Sequence, residues 1–206
     1  MFEDRRDAGK RLGDALRKYE VDHPLVLAIP RGGVEVGYQV SLALKAEFSI
    51  LIARKLPFPG NPEAGFGAIA EDGSMYLNED AMVWISESEK EGIIEEQKRE
   101  VMRRIETLRQ GRPLPSLADR TVILVDDGIA MGSTMRAAIT LCKHQRAGKI
   151  IVAVPVAGAS VVEELQKLVD EVVALETPEF FQAVAQVYKH WYDVSDKEVL
   201  SIVKRT

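Results

Sequence analysis

Val122-Ile-Leu-Val-Asp-Asp-Gly-Ile-Ala-Met-Gly-Ser-Thr134 reads, from left to right, as a buried strand, two adjacent carboxylates, a turn of small residues and a helix start. A near-continuous apolar, β-branched run of this length suits a strand covered on both faces. Similar runs return at residues 26–29, 49–53, 150–154 and 172–175. Helical patterns open between them near Gly33, Ser133 and Ser160. That alternation is the signature of an α/β fold, a doubly wound parallel sheet with helices on both faces. Thr134, Ala138, Leu141 and Cys142 form one apolar stripe, which makes Cys142 a core residue rather than a reactive thiol.

The chemistry of the stretch follows from its two halves. A helix N-terminus at Gly132, with the hydroxyls of Ser133 and Thr134, offers outward-pointing N–H groups and a favourable dipole to a phosphate. Carboxylates one turn away repel that phosphate but accept hydrogen bonds from sugar hydroxyls. A ribose 5-phosphate meets both demands. The plainer alternative is a strand end with Asp127 as a helix cap. Two acids, a Gly-containing turn and two hydroxyls together favour the ligand.

Two further constellations lie at strand ends. Pro30-Arg-Gly-Gly33 follows a strand and opens a helix, at the carboxyl edge where ligands of open α/β sheets bind. Its glycines permit close backbone approach and Arg31 can pair with phosphate oxygens. Arg54-Lys55 ends the next run. After it, residues 57–78 are rich in Gly and Pro (Pro57, Pro59, Gly60, Pro62, Gly65, Gly67, Gly73), and a connector this long is expected to be a functional lid. Its second half, 67–77, suits a hairpin turning at Asp72-Gly73. Glu63, Glu71 and Asp72 make the lid more acidic than a pure anion clamp, leaving Arg54 and Lys55 as its main positive charge.

On these residues the chain resembles the type I phosphoribosyltransferases, and most of all the bacterial members of undefined acceptor. Four apolar residues, two acids, a short loop, then Gly and a hydroxyl match that family's motif for phosphoribosyl diphosphate (PRPP). The resemblance implies that Asp126 and Asp127 contact the ribose hydroxyls and, through water, Mg2+. It implies that Ala130, Met131, Gly132, Ser133 and Thr134 wrap the 5-phosphate, that Gly128 and Ile129 also belong to the PRPP-binding loop, and that Arg31, Gly32 and Gly33 form the pyrophosphate loop. Arg31, Arg54 and Lys55 would stabilise departing pyrophosphate. The implied reaction is pentosyl transfer from PRPP to a nitrogenous, nucleobase-like acceptor, with Mg2+ as cofactor, in nucleotide metabolism. Asp127→Asn is then expected to abolish activity and leave the thermal melt nearly unchanged.

Three positions depart from the family pattern. Ala130 stands where the hypoxanthine-guanine branch carries an acidic base, so purine salvage of that design is in doubt. Met131 replaces a small or hydroxyl residue, at a cost of about 0.5–1.5 kcal/mol for one neutral hydrogen bond. Gly128 replaces an apolar residue and is expected to loosen the turn. A regulator sensing PRPP or a nucleotide on the same fold is the alternative function, and hydrolysis or isomerisation of another phosphosugar is a third.

The rest of the chain frames this reading. The 206 residues are expected to form a single domain, with a core over about 21–175 and a hood from 1–20 and 176–206. Phe180, Phe181 and Trp191 in that hood are candidates to stack on the acceptor. Residues 86–110 read as a charged helix with a Ser86/Glu89 capping box and Glu95/Arg99 and Glu100/Arg104 pairs, and a last helix begins near Ser195. With 27 Lys+Arg against 32 Asp+Glu, the net charge of −5 disfavours nucleic acid and anionic membrane as partners, though not a small anion. One cysteine excludes an internal disulfide and a zinc framework, and His23, His144 and His190 lie far apart. With no signal-like segment or membrane-length apolar run, the expected compartment is the cytoplasm; a homodimer is compatible with the reading.

Overall fold

Alternate residues of a strand point to opposite faces, and in the central strands of this chain both sets are apolar. The computed structural model describes residues 1–206, with the Glu63 side chain outside the described set. Its first half runs α1 (Arg5–Ala15), β1 (Leu25–Ala28), α2 (Gly32–Leu44), β2 (Glu47–Ile50), β3 (Ala53–Phe58), β4 (Asn61–Ala70), β5 (Met75–Leu77) and the short α3 (Glu79–Met82). There follow α4 (Glu87–Arg109), β6 (Thr121–Val125), α5 (Ser133–His144), β7 (Lys149–Val156), α6 (Ala159–Gln166), β8 (Glu171–Glu176) and α7 (Asp196–Val203).

Five strands form a parallel sheet in the order β2-β1-β6-β7-β8. Val26, Ala28, Ile123, Val125 and Ile151 pack on one face with Leu12 of α1, Val36 of α2, Val101 of α4 and Val199 of α7. Leu25, Leu27, Val122, Leu124 and Val152 pack on the other with Met135, Ile139 and Cys142 of α5 and Leu165 of α6. Each fully buried aliphatic side chain contributes about 1.5–3 kcal/mol, so two-faced burial explains why these runs show no polar alternation. This is the doubly wound parallel sheet that the sequence predicts. The order reverses between β1 and β6, and the loops that follow those two strands carry both ligand-type motifs. Among the described residues, no helix is long and apolar enough to cross a membrane.

Residues 57–78 are not a loop. β3, β4 and β5 make an antiparallel three-stranded sheet that packs between α4 and α5. Gly65 and Gly67 serve close strand approach, while Gly60 and Gly73 take positive φ at turns. A Cβ on Gly67 would sit 2.2 Å from the Tyr76 carbonyl oxygen, and one on Gly65 2.6 Å from that of Leu56. The hairpin turn falls at Asp72-Gly73, where Gly73 has φ +88°. The expected strand over 49–53 also divides, with β2 ending at Ile50 and β3 leaving the main sheet from Ala53.

Neither Glu71 nor Asp72 lines the cleft at the end of β6; both are held by partners within the fold. Arg109, at the end of α4, forms a buried ion pair with Glu71 and donates from Nη1 to the Ile50 carbonyl at 2.9 Å. Asp72 accepts from Ser74 Oγ at 2.8 Å and holds the turn. At the start of α4, Ser86 and Glu89 form the expected capping box. Glu100 pairs with Arg104 at 2.9 Å as predicted, whereas Glu95 pairs with Lys98 rather than Arg99. The two ends of the chain meet: Phe2 donates to Val187 at 2.7 Å and accepts from Lys189 at 2.9 Å, beside buried Tyr188 and Val156.

Candidate functional site

A cleft of about 380 Å³ opens where β6 ends, lined by the loop Gly128–Thr134 together with Asp126, Lys55, Gly65, Gln182 and Val184. The loop is fixed rather than loose. Ile129 donates to the Val156 carbonyl at 2.9 Å, bridging to the end of β7, and its side chain is buried. A Cβ on Gly128 would meet Val184 Cγ1 at 2.6 Å, so this glycine tightens the turn against Val184, contrary to the loosening expected from sequence. Gly132 caps α5 with φ +80°, a conformation that glycine adopts without steric cost. Because the cap carries no side chain, the first N–H groups of α5, with the Ser133 and Thr134 hydroxyls, form an anion-receptive edge. Ala130 and Met131 are exposed on the rim of that loop.

The two acids differ in environment. Asp126 lines the cleft, and its Oδ1 accepts from the Asp127 N–H at 2.8 Å. Burial, then the neighbouring Asp127 carboxylate, pushes its carboxyl well above the usual aspartate range. Asp127 turns away from the cleft. Its Oδ2 accepts from Arg5 Nε at 2.7 Å, with side chains only 4% and 14% exposed. Arg5 also donates to the Tyr192 carbonyl at 2.8 Å, stands 3.9 Å from Glu35, and lies 4.0 Å over the Trp191 ring. Tyr192 Oη donates to Glu35 at 2.7 Å, and burial raises its phenol to about 12. Tyr188 Oη donates to the Asp127 carbonyl at 2.6 Å.

The Pro30–Gly33 turn explains why Asp127 fits there. A Cβ on Gly32 would lie 1.8 Å from Asp127 Oδ2, and one on Gly33 2.9 Å from Asp126 Cα. Both glycines therefore make room for the acid pair, and the Asp127 carboxylate sits at the N-terminus of α2, where the helix dipole favours it. Neither glycine lines the cleft. Arg31 is partly exposed and faces Asp196 at the start of α7, 3.6 Å away.

Of the three expected cations, Lys55 lines the cleft, whereas Arg31 and Arg54 do not. Strand alternation on β3 turns Lys55 toward the cleft and Arg54 toward α4, where Arg54 Nε donates to Gln97 Oε1 at 3.2 Å. Lys55 Nζ donates to the Pro62 carbonyl at 3.4 Å. The aromatic candidates for acceptor stacking also lie elsewhere. Phe180 is 85% exposed, Phe181 packs beside Phe2 and Val156, and Trp191 stacks on Arg5 and Tyr188. From that segment, Gln182 and Val184 reach the cleft instead. Sequence reasoning missed Arg5 and Glu35, and it read Tyr188 and Tyr192 only as hood aromatics, not as the hydroxyl donors to Asp127 and Glu35 that they are. The signal for Arg5 was its place on the apolar stripe of α1, three residues before Ala8 and seven before Leu12, both buried.

The sequence profile of the phosphoribosyl transferase domain matches residues 5–190. Two Mycobacterium tuberculosis proteins, from strains CDC 1551 and H37Rv, carry a provisional phosphoribosyl transferase name and are each 38% identical over 207 residues. The match takes in 100% of this chain and 47% of theirs, so the chain spans about half the length of these curated relatives. The crystal structure of TT1426 from Thermus thermophilus is 38% identical, covers 100% of this chain and 98% of its own, and superposes with a TM-score of 0.84. With its doubly wound sheet and its acid pair followed by a phosphate-type loop, the chain belongs to the phosphoribosyl transferase domain family.

Proposed function

We propose that the chain transfers the 5-phosphoribosyl group from PRPP to a nitrogenous acceptor and releases pyrophosphate. The observation that carries this reading is the single cleft in which the α5 N-terminus, Asp126 and Lys55 come together. The amides of 128–134, with Ser133 and Thr134, take the 5-phosphate. Asp126 accepts hydrogen bonds from the ribose hydroxyls. Lys55, and Arg31 at the neighbouring turn, hold the diphosphate. Asp127 acts one step back, by fixing the backbone from which Asp126 projects. Gln182 and Val184 flank the acceptor side, a role transferred here from Phe180, Phe181 and Trp191.

The bond from ribose C1 to the diphosphate oxygen breaks, the bond from C1 to the acceptor nitrogen forms, and the nitrogen's proton passes to solvent. No protein nucleophile takes part. Fixed positive charge and helix N–H groups around a multiply charged leaving group supply the rate. Among the described residues, no three His, Cys, Asp or Glu side chains converge to hold a metal by themselves. The Asp126 carboxyl, which lines the cleft, would hold an Mg2+ accompanying PRPP, and the ion would supply charge neutralisation to the leaving pyrophosphate.

Pyrophosphate release from Mg-PRPP with a panel of nucleobases tests the reading. Release with at least one acceptor, lost in Asp126→Asn, is the expected result. PRPP binding without release for every acceptor would overturn it in favour of a sensor.

A further inference from the structure

The other side of β3 carries a second cationic concavity. Arg54, Glu96, Gln97, Arg99, Glu100 and Arg103 line a groove of about 320 Å³ between β3 and α4. Arg54 is half-buried there. Its Nε bonds Gln97, and its two Nη groups have no partner among the described residues. Burial, then the nearby Arg104, weakens its hold on its proton, and Arg31 and Arg103 add to this while Glu100 opposes it, so the net effect is a lowered value and a positive surrounding. Glu100 offsets only part of that field, because two arginines already share its carboxylate. Arg103 binds it through two bonds of 2.7 and 2.9 Å and Arg104 through a third of 2.9 Å, which pull its carboxyl down to about 2.

A half-buried guanidinium whose remaining donors open on a groove, with other arginines around it, favours an anion there. In a chain of net charge −5 this concentration of arginine is also local. Arg99 and Arg103 are four residues apart on α4, a rise of about 6 Å, which matches linked phosphates better than a single one. Guanidinium forks bind phosphate oxygens two at a time. The presence of Glu96 and Glu100 selects a multiply charged anion over a monoanion, which would gain too little to offset their repulsion.

We propose that the β3–α4 groove is a second anion subsite, separate from the cleft, that takes a linked inorganic phosphate chain between Arg54, Arg99 and Arg103. This assignment does not depend on the transfer reaction. It also gives Arg54, which faces away from the cleft, a ligand of its own.

Calorimetric titration with inorganic tripolyphosphate tests it in a protein whose cleft is disabled by Lys55→Ala, Ser133→Ala and Thr134→Val. One site per chain is expected to remain, weakened at least tenfold when Arg99→Ser and Arg103→Ser are added. Both arginines lie on the solvent side of α4, and an unchanged circular dichroism melt checks that folding is intact. Orthophosphate is expected to bind at least tenfold more weakly than tripolyphosphate. Absence of binding in the cleft-disabled protein, or an affinity indifferent to the two arginines, would overturn the groove. Equal affinity for orthophosphate would overturn the linked-phosphate assignment. Loss of pyrophosphate release in the cleft variants bears only on the transferase reading, so the two ideas fail separately.

Discussion

Asparagine substitutions at the two adjacent acids are expected to move stability in opposite directions. Asp127→Asn removes a carboxylate that is 14% exposed and 2.7 Å from a guanidinium only 4% exposed. Removing one member of a buried ion pair costs about 3–5 kcal/mol, because the other charge stays behind. Here Arg5 retains the Tyr192 carbonyl at 2.8 Å and Glu35 at 3.9 Å, which places the loss near the lower end, about 3 kcal/mol. For a chain of this size that lowers Tm by about 6–12 °C. The sequence-based expectation of an unchanged melt is therefore replaced.

Asp126→Asn keeps an oxygen to accept from the Asp127 N–H and removes a carboxyl whose folded-state value is raised. Above the ordinary aspartate value of 3.8 the unfolded chain has given up this proton while the folded chain retains it, so wild-type stability falls as pH rises through that window. The Asn variant lacks this slope. It should melt above the wild type at pH 7 and level with it below the window. Scanning calorimetry of both variants at pH 7 and at acid pH reads this directly. A double-mutant cycle with Arg5→Met should return a coupling of about 1–3 kcal/mol between Arg5 and Asp127. An Asp127→Asn protein melting within 2 °C of wild type, or an Asp126→Asn protein as unstable as it, would refute the reasoning.

Arg109→Met strands the Glu71 carboxylate, whose side chain is 7% exposed, and should cost about 3–5 kcal/mol in urea unfolding at constant m. Gly32→Ala drives a methyl into Asp127 Oδ2, and is expected to lower Tm and abolish PRPP binding together, as read by melting with and without Mg-PRPP. Ser86→Ala removes the α4 cap and should lower stability by about 1 kcal/mol without affecting ligand binding, as read by urea unfolding and a PRPP titration. Cys142, buried on α5 with its thiol raised to about 12, should resist a thiol reagent at pH 8 in the native protein and react at once in guanidinium.

The central sheet was legible because burial on both faces leaves an unbroken apolar run at β1, β6 and β7, bounded by turn residues. The three-stranded sheet was not. Its glycines at 65 and 67 are spent on strand contacts that a Cβ would block, yet in sequence they resemble loop punctuation. The acid pair and its phosphate-type loop were readable, since seven of their residues are contiguous with a strand end and a helix start. The different environments of Asp126 and Asp127 were not readable. They are set by Arg5 and Tyr192, at opposite ends of the chain, and no local pattern relates either residue to position 127. Trp191 shows the same limit: aromatic identity suggested a base, and tertiary structure gave it a guanidinium.

The Arg5–Asp127 contact joins residues 122 positions apart, and the Tyr192 contact with Arg5 spans 187. Until α1 packs beside residues 127 and 192, the acid pair is without its counter-charge. Pairing of Arg5 with Tyr192 and completion of the acid pair's surroundings are thus one coupled event, which closes a loop spanning 187 positions. A ligand held by Asp126 would consequently report on global folding, raising the protection of α1 amides against solvent exchange although α1 itself never touches it.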